Sequence, residues 1–286
     1  MAFSAGVRYM LAATFFFAVM NALVKLLPHL PATEIAFLRS IVSLSMAYSL
    51  IRAQRVSLPG QRISALVLRG LFGSGSLILY FITLQHMPLA SAVTIQYLSP
   101  IFTALLGMAM VGEHVQKVQW FLFAVSFAGV VIIQGFDQRV EPVYVAMGVG
   151  SALFAALAYN TIRQLKESEH PLVLTFYFPL VSLPVTLLLA DHSWQMPAGW
   201  DWLVLLLIGI TAQTAQYFMT RSYQTDELSK VASLKYLGIL YAWCFGFFIF
   251  NEAFAAPAYV GMALVIVGVV LNIWVKHRSE GAGNVQ

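Results

Sequence analysis

Charge is what this sequence has least of. Only 10% of its 286 residues are Asp, Glu, Lys or Arg, against about 25% in soluble domains. With 60% hydrophobic residues, the composition excludes a soluble globular protein. A single cysteine, Cys244, sits inside an apolar run, so an intrachain disulfide and a paired-cysteine metal site are excluded. The six histidines, His29, His86, His114, His170, His192 and His277, all fall in loops. No Asp or Glu lies in the middle of an apolar run, which removes the carboxylate relay that many proton pumps use. There is no phosphate-binding glycine loop, no nucleophile with a base and no cluster of metal ligands. The expectation is a protein with no catalytic residues, no cofactor and no metal. The formal charge of +4 is spread over separate loops, unlike the basic stripe of a nucleic-acid binder.

What is present is apolar sequence of bilayer-spanning length, repeated. A span needs about 20 apolar residues. Polar and proline-containing breaks divide the chain into ten such runs: Tyr9–Leu27, Ile35–Ile51, Leu66–Thr83, Ala90–Val111, Val118–Gln134, Val143–Ile162, Leu172–Ala190, Leu203–Arg221, Leu228–Phe250 and Ala258–Val275. Arg8 precedes the first run without a small-residue cleavage site after it, so that run reads as a span rather than a leader. Together the runs leave no length for a soluble domain. They divide into a first repeat at residues 1–136, a linker at 137–142, a second repeat at 143–276 and a disordered tail at 277–286.

Shifting the chain by 139 positions superposes the two repeats without gaps around the fourth and ninth runs. Tyr97 then falls on Tyr236, Leu98 on Leu237, Gly107 on Gly246, Glu113 on Glu252 and Gly129 on Gly268. Gln96 falls on Lys235, a lysine about a third of the way into the ninth run. An ammonium at that depth is costly and faces a bundle interior or a wet cavity, unless its stem reaches the headgroups.

The basic residues alternate by loop. Arg8, Arg52, Arg55, Arg62, Lys117, Arg163, Lys166, Arg221, Lys276 and Arg278 fall on one side, and Arg139 alone on the other. The positive-inside rule then places both termini in the cytoplasm. Five spans per repeat, an odd number, make the two halves insert in opposite senses, an architecture of transporters with a midplane site.

The run ITLQHMPLASAVTIQYLSPIFTALLGMAMVGEHV, followed by Ala128–Val131, resembles the EamA-type unit of the drug/metabolite transporter superfamily. Its second copy is TRSYQTDELSKVASLKYLGILYAWCFGFFIFNEAF, followed by Ile266–Val270. That copy departs from the pattern at Asn251, where glycine is usual, and at Gly238-Ile239, where Ser-Pro stands in the first. The resemblance implies an all-α integral membrane protein of ten transmembrane helices, arranged as two inverted five-helix repeats around a central cavity. The fifth and tenth helices would lie at the periphery. It also implies secondary transport of small polar metabolites by alternating access across a bacterial inner membrane, with amino acid export the first reading. Uptake or exchange of an organic anion or nucleotide-like metabolite is the second, and a non-transporting scaffold or lipid enzyme the third. The expected partners are a small-molecule substrate and the bilayer, with no nucleic acid; the oligomeric state stays open.

Candidate substrate contacts follow. Lys235 would hold an anionic group. Gln96, Asn21, Gln213 and Asn160 would bond polar parts, with Tyr80, Tyr97, Tyr159, Tyr217, Tyr236 and Trp243 shaping the rest. Lys25 and Glu34 sit near the outer boundary, where they would pair and, with Arg39, form a gate. Glu113 and Glu252 read as structural, each meeting the positive end of the helix that follows it. Pro100, Pro179 and Pro184 are candidate kinks. The glycines of the third, sixth and tenth spans, Gly70, Gly73, Gly75, Gly148, Gly150, Gly261 and Gly268, would allow close helix crossings.

Overall fold

The computed structural model describes residues 5–111, 117–136, 139–165, 168–190, 194–225, 237–253 and 255–283, and the described residues form helices with no strand among them. In the first repeat these are α1 (Ala5–Lys25), α2 (Ala32–Ala53), α3 (Ile63–His86), α4 (Leu89–Gln96), α5 (Ser99–Val111) and α6 (Lys117–Phe136). In the second they are α7 (Pro142–Leu165), α8 (Pro171–Leu188), α9 (Asp201–Thr225), α10 (Leu237–Phe250) and α11 (Ala256–Gly283).

Proline sets several boundaries. Pro31 and Pro88 cap α2 and α4, and Pro142 and Pro171 open α7 and α8. At a helix start the missing N–H is no loss and the fixed φ suits the first turn. The fourth span, read from sequence as one run, is two helices. It breaks at Tyr97-Leu98 because Pro100 has no N–H to offer the carbonyl of Gln96 four residues back. The tail also differs from expectation, since α11 continues to Gly283. No proline interrupts it. Among the described residues, seven stretches are long and apolar enough to cross a bilayer, α4 and α5 counting as one, and Trp120–Ile132, Leu237–Phe250 and Ala256–Gly268 are shorter apolar stretches. Together they occupy the places of the ten runs.

The helices pack across the two repeats in a pattern that repeats under exchange of the halves. α1 lies on α9 as α7 lies on α3; α2 lies on α9 as α8 lies on α3; α5 meets α7 as α10 meets α1. α2 crosses α8 and α6 crosses α11, each pair joining equivalent helices. The glycines show this in detail. A Cβ on Gly70 would stand 2.6 Å from Val181, and one on Gly209 would stand 2.4 Å from Val42. Gly70 and Gly209 are 139 residues apart, and so are Val42 and Val181. In the same way a Cβ on Gly129 would meet Gly261 and Val265, and one on Gly268 would meet Leu122 and Ser126. Each repeat therefore supplies a glycine on which the other repeat's equivalent helix rests. α6 and α11 pack mainly on each other and so lie outside the remaining helices.

This packing generates a prediction. Gly129→Val and Gly268→Val force side-chain atoms into backbone at the same α6–α11 crossing, so each costs about 1–3 kcal/mol. The two losses, measured by thermal melting in detergent, are expected to match. A large loss for one and none for the other would contradict the symmetric crossing.

Candidate functional site

A cavity of about 170 Å³ lies between the repeats, lined from both. It is set toward one end of the molecule. Met10 and Thr14 near the start of α1 line it, as do Gln216 and Met219 near the end of α9 and Ile162 near the end of α7. Three of the candidate side chains face it from α3 and α4: Tyr80, Gln96 and Tyr97. Asn21 of α1 and Tyr159 of α7 join them.

The most unusual occupants of the wall are two arginines. Arg39 of α2 is 2% exposed and Arg69 of α3 is 5% exposed. Both line the cavity, and both stand over the ring of Phe178 on α8, the guanidinium carbons 5.3 and 4.4 Å from its centroid. The glycines of α3 make this stack possible. A Cβ on Gly73 would come within 2.8 Å of the Phe178 ring, and Gly70 brings α8 close one turn earlier. A ring face attracts a desolvated cation by roughly 2 kcal/mol, which leaves most of the charge unanswered. The Nε and Nη1 atoms of both arginines have no hydrogen-bond partner.

Amides and hydroxyls fill the rest of the polar wall. Ser151 donates to Gln96 Oε1 at 2.8 Å and lies 3.2 Å from the Ser76 hydroxyl. Ser151 also donates to the Ser76 carbonyl at 2.8 Å, so its one proton is shared and Gln96 keeps amide hydrogen-bonding capacity for the cavity. Asn21 Oδ1 is buried without a partner, and its side chain faces the Tyr80 hydroxyl.

The opposite end is closed. Val24, Leu27, Leu30, Leu84, Met87 and Leu89 form a buried apolar plug there. Gln85 donates to the carbonyls of Leu27 and Leu30 at 2.8 Å, tying α3 to the α1–α2 loop. Lys25 stands 3.0 Å from Glu252, donates to the carbonyls of Met87 and Leu84, and lies 5.6 Å from the Phe250 ring. The other oxygen of Glu252 accepts from the N–H of Leu89, the first residue of α4, at 2.8 Å. A carboxylate at an open helix N-terminus meets unpaired N–H groups and the positive end of the dipole. Asn251 holds the turn with φ of +51°, a conformation that Asn and Gly accept most readily. This accounts for an asparagine at a position where glycine is usual.

Three expectations about this end are corrected. Lys25 pairs with Glu252 rather than Glu34, whose carboxylate accepts from the Gln195 N–H at 3.0 Å. Arg39 is not part of that cluster: five residues along a helix turn a side chain about 140° from its starting face, which points Arg39 into the cavity. Glu252 does meet a helix N-terminus, but that of α4 in the other repeat, not the helix that follows it.

Other expected contacts separate. Gln213 is buried, its Nε2 unpaired, and does not line the cavity. Asn160 donates to the carbonyls of Thr103 and Ala156 at 3.2 and 3.1 Å, bridging α7 to α5. Tyr217 lines a shallow cleft beside His170 and Arg221. Trp243 lies on the outer face of α10, stacked on Phe247 and donating to the Tyr259 hydroxyl at 3.5 Å. Lys235 and Tyr236 lie outside the described residues, as does Glu113. The missed residue is Arg69. Its signal was present, a charge inside an apolar run, and it is the same signal that singled out Lys235.

A profile of the EamA-like transporter family matches the chain twice, over residues 4–135 and 143–274. A pseudopaline exporter of Pseudomonas aeruginosa is 34% identical over 268 residues, covering 93% of this chain and 94% of that protein. Solute carrier family 35 member G1 of Mus musculus is 26% identical over 300 residues, covering 97% and 80%. A riboflavin transporter of Vibrio cholerae is 23% identical over 290 residues, covering 98% and 97%. A solved crystal structure superposes with a TM-score of 0.65 at 16% identity, covering 96% of this chain and 98% of the other, which shows a shared fold.

The closed end carries its own prediction. Breaking a buried ion pair from one side leaves an unpaired charge and costs about 3–5 kcal/mol, while replacing both partners with apolar groups costs far less. Lys25→Met or Glu252→Gln alone is therefore expected to lower the melting temperature more than Lys25→Met with Glu252→Met. Additive losses in the double variant would mean the pair is not coupled.

Proposed function

The chain belongs to the EamA-like transporter family, and on that footing we propose that it exports a small amino acid or amino-acid-like metabolite across a bacterial inner membrane by alternating access. The family and the relatives named above are transporters, not enzymes. The observation that carries the reading is a polar cavity between two oppositely oriented repeats, closed at one end by the Lys25–Glu252 pair and the apolar plug. The basic loops assign the closed end to the outside, so the cavity faces the cytoplasm. A site that loads from the cytoplasm and releases when the outer pair parts suits export, and the similarity to a pseudopaline exporter supports that direction.

Asn21 and Gln96 supply an acceptor and a donor for the polar part of the substrate, and Tyr80, Tyr97 and Tyr159 bound its less polar part. The described wall of the cavity holds no Asp or Glu, so exchange or facilitated diffusion fits better than a carboxylate-borne proton cycle. Lys235, the counterpart of Gln96 under the repeat relation, is proposed as a further cation for the substrate.

Counterflow of radiolabelled amino acids in proteoliposomes is the test. Saturable flux is expected, and Asn21→Ala and Gln96→Ala should each raise the half-saturation concentration about tenfold, the loss of one useful hydrogen bond. Absence of saturable flux for every metabolite tried would defeat the transport reading.

A further inference from the structure

Among the described residues no carboxylate is left to neutralise the cavity. Among the described residues the buried acids are Glu34, Glu169 and Glu252. Glu34 is held by the Gln195 N–H, Glu169 by the Arg62 N–H at 2.6 Å, and Glu252 by Lys25 and the Leu89 N–H. None of them lines the cavity. Arg39 and Arg69 thus bring two full positive charges to one wall. Their separation is bounded by the sum of their distances to the single ring they share.

Resting on the transport reading above, we propose that the substrate is a dicarboxylate: a metabolite carrying two carboxylates, one for each guanidinium, and a hydrogen-bond donor for Asn21. A substrate with one carboxylate would neutralise one guanidinium and leave the other buried and unpaired, the arrangement that costs most in a protein interior. Two carboxylates neutralise both, and each can take two parallel N–H bonds from a planar fork. The Nε and Nη1 atoms of both arginines are buried without partners, so no group of the described protein answers the charge that a carboxylate would meet. The unpaired Asn21 Oδ1 accepts from an ammonium or hydroxyl on the same molecule. Phe178 serves as the plate that holds both forks in register. Its counterpart under the repeat relation is Arg39 itself, 139 residues earlier, and that of Arg69 is Ile208. The charge is thus concentrated on one repeat at a position where the other offers apolar surface.

Matched pairs test the charge count without changing shape. Glutamate against glutamine, and succinate against succinamate, differ by one carboxylate. With purified full-length protein, the dicarboxylate of each pair is expected to raise the melting temperature and to exchange in counterflow, and its amide to do neither. Arg39→Gln and Arg69→Gln should each weaken the dicarboxylate about 10- to 100-fold, the loss of hydrogen bonds to a charged group. Arg69→Lys keeps the charge without the fork and should fall between. Should either Gln variant not fold, the matched pairs on the unaltered protein still decide. Saturable counterflow that treats glutamine and glutamate alike, or favours glutamine, overturns the dicarboxylate reading while leaving transport standing. Counterflow of other amino acids with no response to any dicarboxylate overturns it too. Loss of saturable flux for every solute overturns transport itself.

Discussion

The structure depends on close contact between helices that belong to different repeats. Lipid is as apolar as leucine, so burial of apolar surface does little to hold spans together; close fit has to do it. Here the fit comes from glycines set against the same points of the opposite repeat: Gly70 on Val181 and Gly209 on Val42, Gly129 on Val265 and Gly268 on Ser126. The first two contacts pull α3 onto α8 and α9 onto α2. Those are the elements that carry Arg69, Phe178 and Arg39. The approach that makes the fold compact is thus the one that stacks two cations on one ring.

The symmetry holds for the backbone and fails for the charge. Helix crossings recur under exchange of the halves. The cations of the cavity and of the closed end do not follow. Arg39 matches Phe178, Arg69 matches Ile208, and Lys25 matches Gln164. A pair of interchangeable halves explains how a cavity can face either side in turn. A difference in side chains between them gives the cavity a wall with one chemistry. The Lys25–Glu252 pair belongs to the same asymmetry, closing one end by linking the first repeat to the second.

Much of the fold was legible in composition and spacing. The scarcity of charge, the apolar runs and the shift of 139 residues pointed to oppositely inserted repeats before any coordinate was considered. Five candidates, Asn21, Tyr80, Gln96, Tyr97 and Tyr159, do line one cavity. Gln213, Asn160, Tyr217 and Trp243 do not, although each sits in a span at a plausible depth. Depth is a property of position along the chain; the direction a side chain takes depends on which neighbour lies against that face of its helix. Asn160 illustrates this, because α5 lies beside it and supplies the carbonyl of Thr103.

By itself the sequence determined the class of protein, the inverted repeat and the presence of ionised residues inside apolar runs, since hydrocarbon tolerates few charges and each marks itself by being there. Only the tertiary structure decided which charges share a space. Lys25 lies nine residues from Glu34 and more than two hundred from Glu252, yet it pairs with the latter. Arg39 and Arg69 meet over a ring contributed from the far half of the chain. Coulombic and hydrogen-bonding energies fall off over a few ångströms of space, and separation in sequence sets no such distance once helices fold back on one another.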